Sequence, residues 1–130
     1  MGYAITTQQC PEALELMRLF SQTSWAKDRS IKDIELLLEH IGPFVVIKDN
    51  GRLIGFGRAL TDSVYRAMLD DIVVDSNYRK QGVGKMIVEE LLKQLVGVEQ
   101  VFLNTKPDLE SFYETFGFLR SKALTMNLYV

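Results

Sequence analysis

Leu69-Asp70-Asp71-Ile72-Val73-Val74-Asp75-Ser76-Asn77-Tyr78-Arg79-Lys80-Gln81-Gly82-Val83-Gly84-Lys85 reads as a strand, a short loop and the start of a helix. Ile72, Val73 and Val74 form a β-branched run without helical period, suited to a buried strand. Asp75-Ser76-Asn77 breaks that run with turn-forming side chains. Beyond Gly84 the apolar positions are Met86, Ile87, Leu91, Leu92 and Leu95, one side of a helix. Gly82 and Gly84 stand where strand gives way to helix, and without a Cβ they let the backbone approach a ligand closely. The first amides of a helix lack partners and carry partial positive charge, which makes the junction an anion site, most naturally for phosphate. Arg79 and Lys80 add charge at its rim.

Several readings fit such a loop. A dinucleotide fingerprint needs a third glycine where Ile87 stands. A Walker loop needs Ser or Thr where Met86 stands and a glycine where Arg79 stands. A helix start with no ligand is the plain alternative. The remaining reading is Arg79-x-x-Gly82-x-Gly84 directly after a hydrophobic strand, which resembles the pyrophosphate-binding motif of the GNAT superfamily of acyl-CoA-dependent N-acyltransferases.

The whole chain sets bounds on that reading. Its 130 residues suit one domain, 1–130, with a core that buries roughly two-thirds of the unfolded surface. Hydrophobic residues at 47% and charged residues at 25% are an ordinary globular balance. A net charge of −2 argues against a nucleic-acid partner, although Arg79, Lys80 and Lys85 suffice for a compact anion. The single Cys10 permits no internal disulfide and suits a reducing cytoplasm. No CxxC or HExxH spacing occurs, so no metal is expected. No run is long enough for a membrane span, and no signal peptide is expected. His40 precedes Gly42-Pro43 and suits the C-terminal cap of a helix.

In chain order, Tyr3–Thr6 reads as an edge strand and Pro11 opens a helix with Leu14, Met17, Leu19 and Phe20 as its apolar face. Ser30 is an N-cap for a second helix carrying Ile34, Leu37, Leu38 and Ile41. Phe44–Lys48 and Arg52–Leu60 form a hairpin about Asn50-Gly51, a pair suited to positive φ. Tyr65–Val74 is the next strand, and the central helix runs from about Gly82 to Leu95. Val101–Leu103, reached by a helical crossover, should lie parallel to Ile72–Val74. A short helix bears Phe112, Tyr113 and Phe116 before Gly117. Leu124–Val130 closes the chain as an alternating strand. The expected order is β-α-α-β-β-β-α-β-α-β, an α/β fold on a mixed sheet.

That order is similar to the GNAT fold over nearly the whole chain, and Phe112-Tyr113-Glu114-Thr115-Phe116-Gly117-Phe118 resembles the family's late FY…GF motif. Leu60-Thr61-Asp62 after Gly57-Arg58, with Trp25 upstream, resembles a branch that includes serotonin-type arylalkylamine acetyltransferases. The resemblance implies acetyl-CoA as co-substrate. The amides of Arg79, Lys80, Gln81, Gly82, Val83, Gly84 and Lys85 would hold its pyrophosphate. The backbone of Ile72, Val73 and Val74 would pair with the pantetheine arm, with Asn104 and Phe112 also at the cofactor. For that, the Ile72–Val74 strand must splay from Val101–Leu103.

The implied reaction is attack of an amine on a thioester. A carboxylate, or a water it holds, takes the amine proton. Asp70 and Asp71 are the base candidates, Asp70 ahead. They alternate faces on a regular strand, so a bulge must intervene for both to face the substrate. Tyr113 stands where the family often places the acid for the thiolate, and an N–H near Val73 is a donor for the oxyanion. Trp25, Arg58 and Asp62 are substrate-binding candidates. The expected acceptor is the primary amine of a small molecule. A protein lysine or N-terminus and a non-catalytic acyl-CoA-binding module are the alternatives. The terminal strand also suits pairing with a second copy as a homodimer.

Overall fold

The computed structural model describes residues 2–130. Five strands form one sheet in chain order: β1 (Tyr3–Thr6), β2 (Phe44–Asp49), β3 (Arg52–Thr61), β4 (Arg66–Val74) and β5 (Gln100–Phe102). The first four pair antiparallel, and β5 lies parallel to β4. The helices are α1 (Ala13–Phe20), α2 (Ile31–Glu39), α3 (Val83–Gln94) and α4 (Glu110–Glu114). The hairpin turn follows its sequence signal: Asn50 at φ 49° and Gly51 at φ 82° give the backbone that joins β2 to β3 tightly.

The sheet is covered on both faces. On one, Ile87, Val88 and Leu91 of α3 pack with Val45, Ile47 and Leu69. On the other, Leu16, Leu19 and Phe20 of α1 and Ile34 of α2 pack with Phe44, Val46, Phe56 and Val73. Gly57 explains why α3 seats so low: a Cβ there would lie 2.5 Å from Ile87 Cγ2. The helix ends obey local chemistry. Ser30 Oγ accepts from the Asp33 amide at 3.1 Å, and His40, the C-cap of α2, bonds Leu36 O through Nδ1 at 3.0 Å. Glu12 and Glu15 close a reciprocal capping box on α1, which starts two residues after Pro11.

Two expectations fail. Leu14 stands 66% exposed, and Leu16 takes the buried position, because Leu16, Leu19 and Phe20 share one face of α1 and Leu14 lies opposite it. The closing strand is absent: among the described residues Leu124–Val130 joins no ladder, and its side chains face outward. Alternation marks a segment able to be a strand, but an edge must be supplied before it becomes one.

Candidate active site

Strand β4 does not run regularly. Phe56 pairs with Val73 and Arg58 with Asp70, so β4 spends one more residue than β3 over this interval. The extra residue is absorbed at Asp71, whose φ of 53° is left-handed, a conformation a non-glycine residue adopts only where its surroundings enforce it. The enforcement is visible. Asp71 Oδ2 accepts from Arg58 Nε at 2.7 Å and Arg29 Nη1 at 3.0 Å, and Oδ1 accepts from Arg29 Nη2 at 3.1 Å. The Asp71 side chain is fully buried beneath these guanidiniums. Arg29 is itself held over the Phe20 ring, 4.8 Å from its centroid, and lies 5.7 Å from that of Trp25.

The bulge divides the two base candidates. Asp70 accepts the Asp71 amide at 2.9 Å and lies 3.5 Å from Arg58, but its side chain keeps 38% of its exposure. Asp71 is enclosed. Of the pair, only Asp70 offers a carboxylate to solvent.

The β4–β5 ladder holds three pairs, from Arg66↔Gln100 to Met68↔Phe102, and among the described residues it goes no further. Leu69–Val74 therefore faces an opening on that flank. A cleft of about 350 Å³ there is lined by Trp25, Ile72, Val73, Val74, Arg79 and Lys106, with Gln22–Ser24 at its side. At its end the chain turns through Ser76–Tyr78 into the loop. Lys80 at φ 62° and Gly82 at φ 87° curl the backbone into α3. The first bond of α3 runs from the Met86 amide to Gly82 O at 3.1 Å; among the described residues the amides of Gly82–Lys85 meet no acceptor. Gly84 faces Phe112, where a Cβ would lie 3.5 Å from the ring.

A contact that nothing in the local pattern announces fixes the loop. Gln22, just past α1, donates to Asp75 Oδ2 at 3.2 Å and accepts the Ser76 amide at 2.8 Å. Burial pushes the Asp75 carboxyl up, but the Asn77 amide, Gln22 and Arg52 outweigh it and hold the group below its ordinary range. Tyr78 donates to Asp49 at 2.7 Å, and that bond together with burial raises its hydroxyl pKa.

Tyr113 and Asn104 line a second, larger cleft of about 970 Å³, between Gln100–Pro107 and the passage Phe116–Thr125. Lys106 borders both clefts. Tyr113 is 8% exposed, edge-on to Phe112 at 5.0 Å and Phe118 at 6.0 Å, and burial raises the pKa of its hydroxyl, which therefore keeps its proton at neutral pH. Asn104 Oδ1 accepts from Thr125 Oγ1 at 3.4 Å.

Of the substrate-binding candidates, Asp62 lies in the β3–β4 turn, whereas Arg58 stands at the bulge and Trp25 at the smaller cleft. Asp62 Oδ1 accepts the amides of Val64, Tyr65 and Arg66 at 2.8, 2.8 and 3.2 Å, bonds that lower its pKa and tie the β3–β4 turn. Arg58 is engaged with both aspartates. Trp25 is 49% exposed and borders the smaller cleft. Arg29 and Gln22 are the residues that sequence reasoning missed.

Comparison with known proteins gives a consistent picture. The model of the acetyltransferase (GNAT) family matches residues 10–118. An uncharacterised N-acetyltransferase of Porphyra purpurea, ycf52, is 32% identical over 112 residues, covering 82% of this chain and 64% of its own. GCN5-related N-acetyltransferase 1, chloroplastic, of Arabidopsis thaliana is 32% identical over 95 residues, covering 70% of this chain and 48% of its own. The chain thus spans less than two-thirds of the length of these relatives. Among solved structures, a probable acetyltransferase from Staphylococcus aureus superposes with a TM-score of 0.83 at 23% identity, covering 98% of both chains. Glucosamine-6-phosphate N-acetyltransferase of Arabidopsis thaliana superposes with a TM-score of 0.78 at 21% identity, covering 99% of both chains.

Proposed function

The chain belongs to the GNAT family of acetyltransferases, and on that footing we propose that it transfers the acetyl group of acetyl-CoA to a primary amine of a small molecule, by direct attack in a ternary complex. The carrying observation is the free row of amides over Gly82–Lys85 at the end of an open β4 flank. A diphosphate suits such amides, and an amide-bearing arm suits an exposed strand edge.

In this reading the loop from Arg79 to Lys85 grips the diphosphate, and Ile72–Val74 guides the thioester arm, with Phe112 and Asn104 along its course. Asp70, through a water, takes one proton from the amine. The freed lone pair forms the C–N bond, the Val73 N–H steadies the oxyanion, and as the C–S bond breaks the nitrogen gives up its second proton to solvent, which replaces the one Tyr113 donates. Tyr113 returns a proton to the leaving thiolate. Asp71 holds the bulge that presents these amides. Exposed Trp25 gives the acceptor an apolar or aromatic body to pack against. Arg58 and Asp62 are left out of substrate contact because their polar groups are already engaged. Among the described residues no group of three or more His, Cys, Asp or Glu side chains is placed to hold a metal ion. No helix of the described residues is long and apolar enough to cross a membrane. A lone, exposed Cys10 suits a reducing interior, the cytoplasm in our reading.

Calorimetric titration with CoA and acetyl-CoA, followed by an amine panel monitored through CoA release, tests this. Uptake of both ligands and turnover of a small amine are expected, with Tyr113→Phe lowering kcat by about 10²–10⁴-fold at unchanged CoA affinity. Binding without turnover of any amine would leave a binding module, turnover confined to peptides would make the acceptor a protein, and no uptake would end the proposal.

A further inference from the structure

The connector between α1 and α2 buries too little to order itself. From Ser21 to Ser30 only Ala26 is buried. Local turns stitch its backbone. Thr23 Oγ1 donates to Phe20 O at 2.9 Å and accepts the Ala26 amide at 2.9 Å, and the Arg29 amide donates to Ala26 O at 3.2 Å. Turns of that kind give the segment a shape but do not fix it against the sheet. Two side chains do. Gln22 is tied to Asp75 and to the Ser76 amide, just past the free stretch Ile72–Val74. Arg29 is tied to Asp71, just before it. The connector is thus strapped to β4 at both ends of that stretch, and Trp25, on the smaller cleft, stands between the straps.

The two straps are not alike. Asp71 Oδ2 is shared between Arg29 and Arg58, but Oδ1 has Arg29 as its one partner among the described residues. The Asp71 side chain is wholly buried, whereas that of Arg29 keeps 31% of its exposure. Removing the Arg29 side chain therefore leaves the buried carboxylate paired with Arg58 and opens a space that solvent reaches. The ion pair survives; the second point that fixes the plane of the carboxylate does not. A single contact permits rotation, and a bidentate fork forbids it. Asp71 at φ 53° sets the bulge, and Asp70 and Val73 flank it. Freedom at this carboxylate is freedom for both. Trp25 loses its neighbour in the same step, because the Arg29 guanidinium lies 5.7 Å from its ring.

We propose that Arg29 is a positioning residue for the acceptor. Its one guanidinium fixes both the wall that carries Trp25 and the bulge that carries Asp70, so a single side chain places amine and base against each other. This rests on the acetyl-transfer reading and goes beyond it, since it assigns the acceptor side of the site to a residue that touches neither cofactor nor amine. The loop amides of Gly82–Lys85 lie at the far end of the stretch, beyond the Gln22 strap. A residue that only props the fold weakens CoA uptake and turnover together, whereas a positioning residue for the acceptor separates them.

Arg29→Ala is the test. CoA and acetyl-CoA are expected to titrate with the parent's affinity and stoichiometry, while kcat/KM for the amine falls by about 10²-fold, the scale of an ångström-sized misplacement. Guanidinium, far below denaturing concentration, then fills the vacated space. It raises kcat/KM of the variant saturably and leaves the parent unchanged, and urea, of the same shape without the charge, does neither. Trp25 is the chain's one tryptophan, so its emission reports the same event without turnover. It is shifted in Arg29→Ala and restored by guanidinium with the same midpoint. Arg29→Lys, which keeps the charge and loses the fork, stands in should the alanine variant not fold; it holds CoA normally and loses most of the amine rate. Unchanged turnover, a joint loss of CoA uptake and turnover in both variants, or a loss in Arg29→Ala that guanidinium does not relieve overturns the proposal. A parent that acetylates no amine removes it together with the reading it rests on. An active parent beside an equally active Arg29→Ala protein removes it alone.

Discussion

Strand β4 meets its two neighbours differently. Against β3 it is registered from Thr61↔Ala67 to Gly55↔Val74, with one residue to spare at Asp71. Against β5 it holds three pairs and then opens. The difference is that the opening is supported rather than frayed. The paired flank carries a buried carboxylate under two arginines, and that clamp sets the backbone path whose far side is free. A strand edge inside a domain is ordinarily closed by a neighbour or by water; here one flank is held rigid so that the other can stay empty for a ligand.

The largest effect should come from undoing the clamp. Asp71→Ala leaves Arg58 and Arg29 facing each other across a buried gap and removes the contacts that hold φ 53°. Removing one member of a buried ion pair costs about 3–5 kcal/mol, a drop that urea unfolding would register directly. Asp70→Asn is the contrasting variant. Its side chain is partly exposed and its arginine contact is long, so stability should hold within about 1 kcal/mol, while kcat falls by about 10²-fold or more if Asp70 is the base. Equal stability losses at the two positions would erase the distinction between clamp and site.

The next pair of variants compares a glycine of β3 beneath α3 with one in the first turn of α3. Gly57 lies on the paired flank, and a Cβ there would collide with Ile87. Gly57→Ala should cost about 1–3 kcal/mol and lower Tm, with CoA affinity following stability alone. Gly84 borders the open flank, with Phe112 and Val74 at ordinary contact distance. Gly84→Ala should leave stability unchanged or raise it by up to about 1 kcal/mol, since alanine is the better helix former. It should nonetheless weaken CoA binding about tenfold, a 1.4 kcal/mol loss, by filling the close approach to the diphosphate. A Gly84→Ala protein that binds CoA as tightly as the parent would remove the loop amides from the site.

What was legible in the sequence was the local chemistry. A β-branched run, a turn, two glycines and a helical period placed β4, the loop and α3, and Asn50-Gly51 placed the hairpin. That both Asp70 and Asp71 could face the substrate only across a bulge was legible as a condition. The bulge is there, yet it buries Asp71 and leaves Asp70 alone open, and what holds it was not legible, because Arg29 stands 42 residues away in a segment with no period. Gln22 is hidden for the same reason: a glutamine past a helix end carries no signal until the fold brings Asp75 to it. The closing strand was misread in the opposite way. Its pattern is sound, but whether a segment pairs depends on an edge within reach, and no pattern along one chain encodes that.

The smallest predicted effect concerns the end of the paired flank. The Asp75 amide donates to Ile54 O at 2.8 Å, the last tie between β4 and β3, and its carboxylate anchors Gln22 and the Asn77 amide. Its folded pKa lies below the ordinary carboxylate value of about 3.9. The unfolded chain therefore binds a proton first as the medium becomes acidic. The stabilisation is complete above that ordinary value and is lost as pH falls through the lower folded one. Stability measured by urea unfolding should decline over that acid window in the parent and decline less steeply in Asp75→Asn, while the two curves run parallel near neutrality. Should the slopes coincide, the Asp75 carboxylate would have no part in keeping the diphosphate site in register with the open flank of β4, and the tie from Gln22 would rest on the Ser76 amide alone.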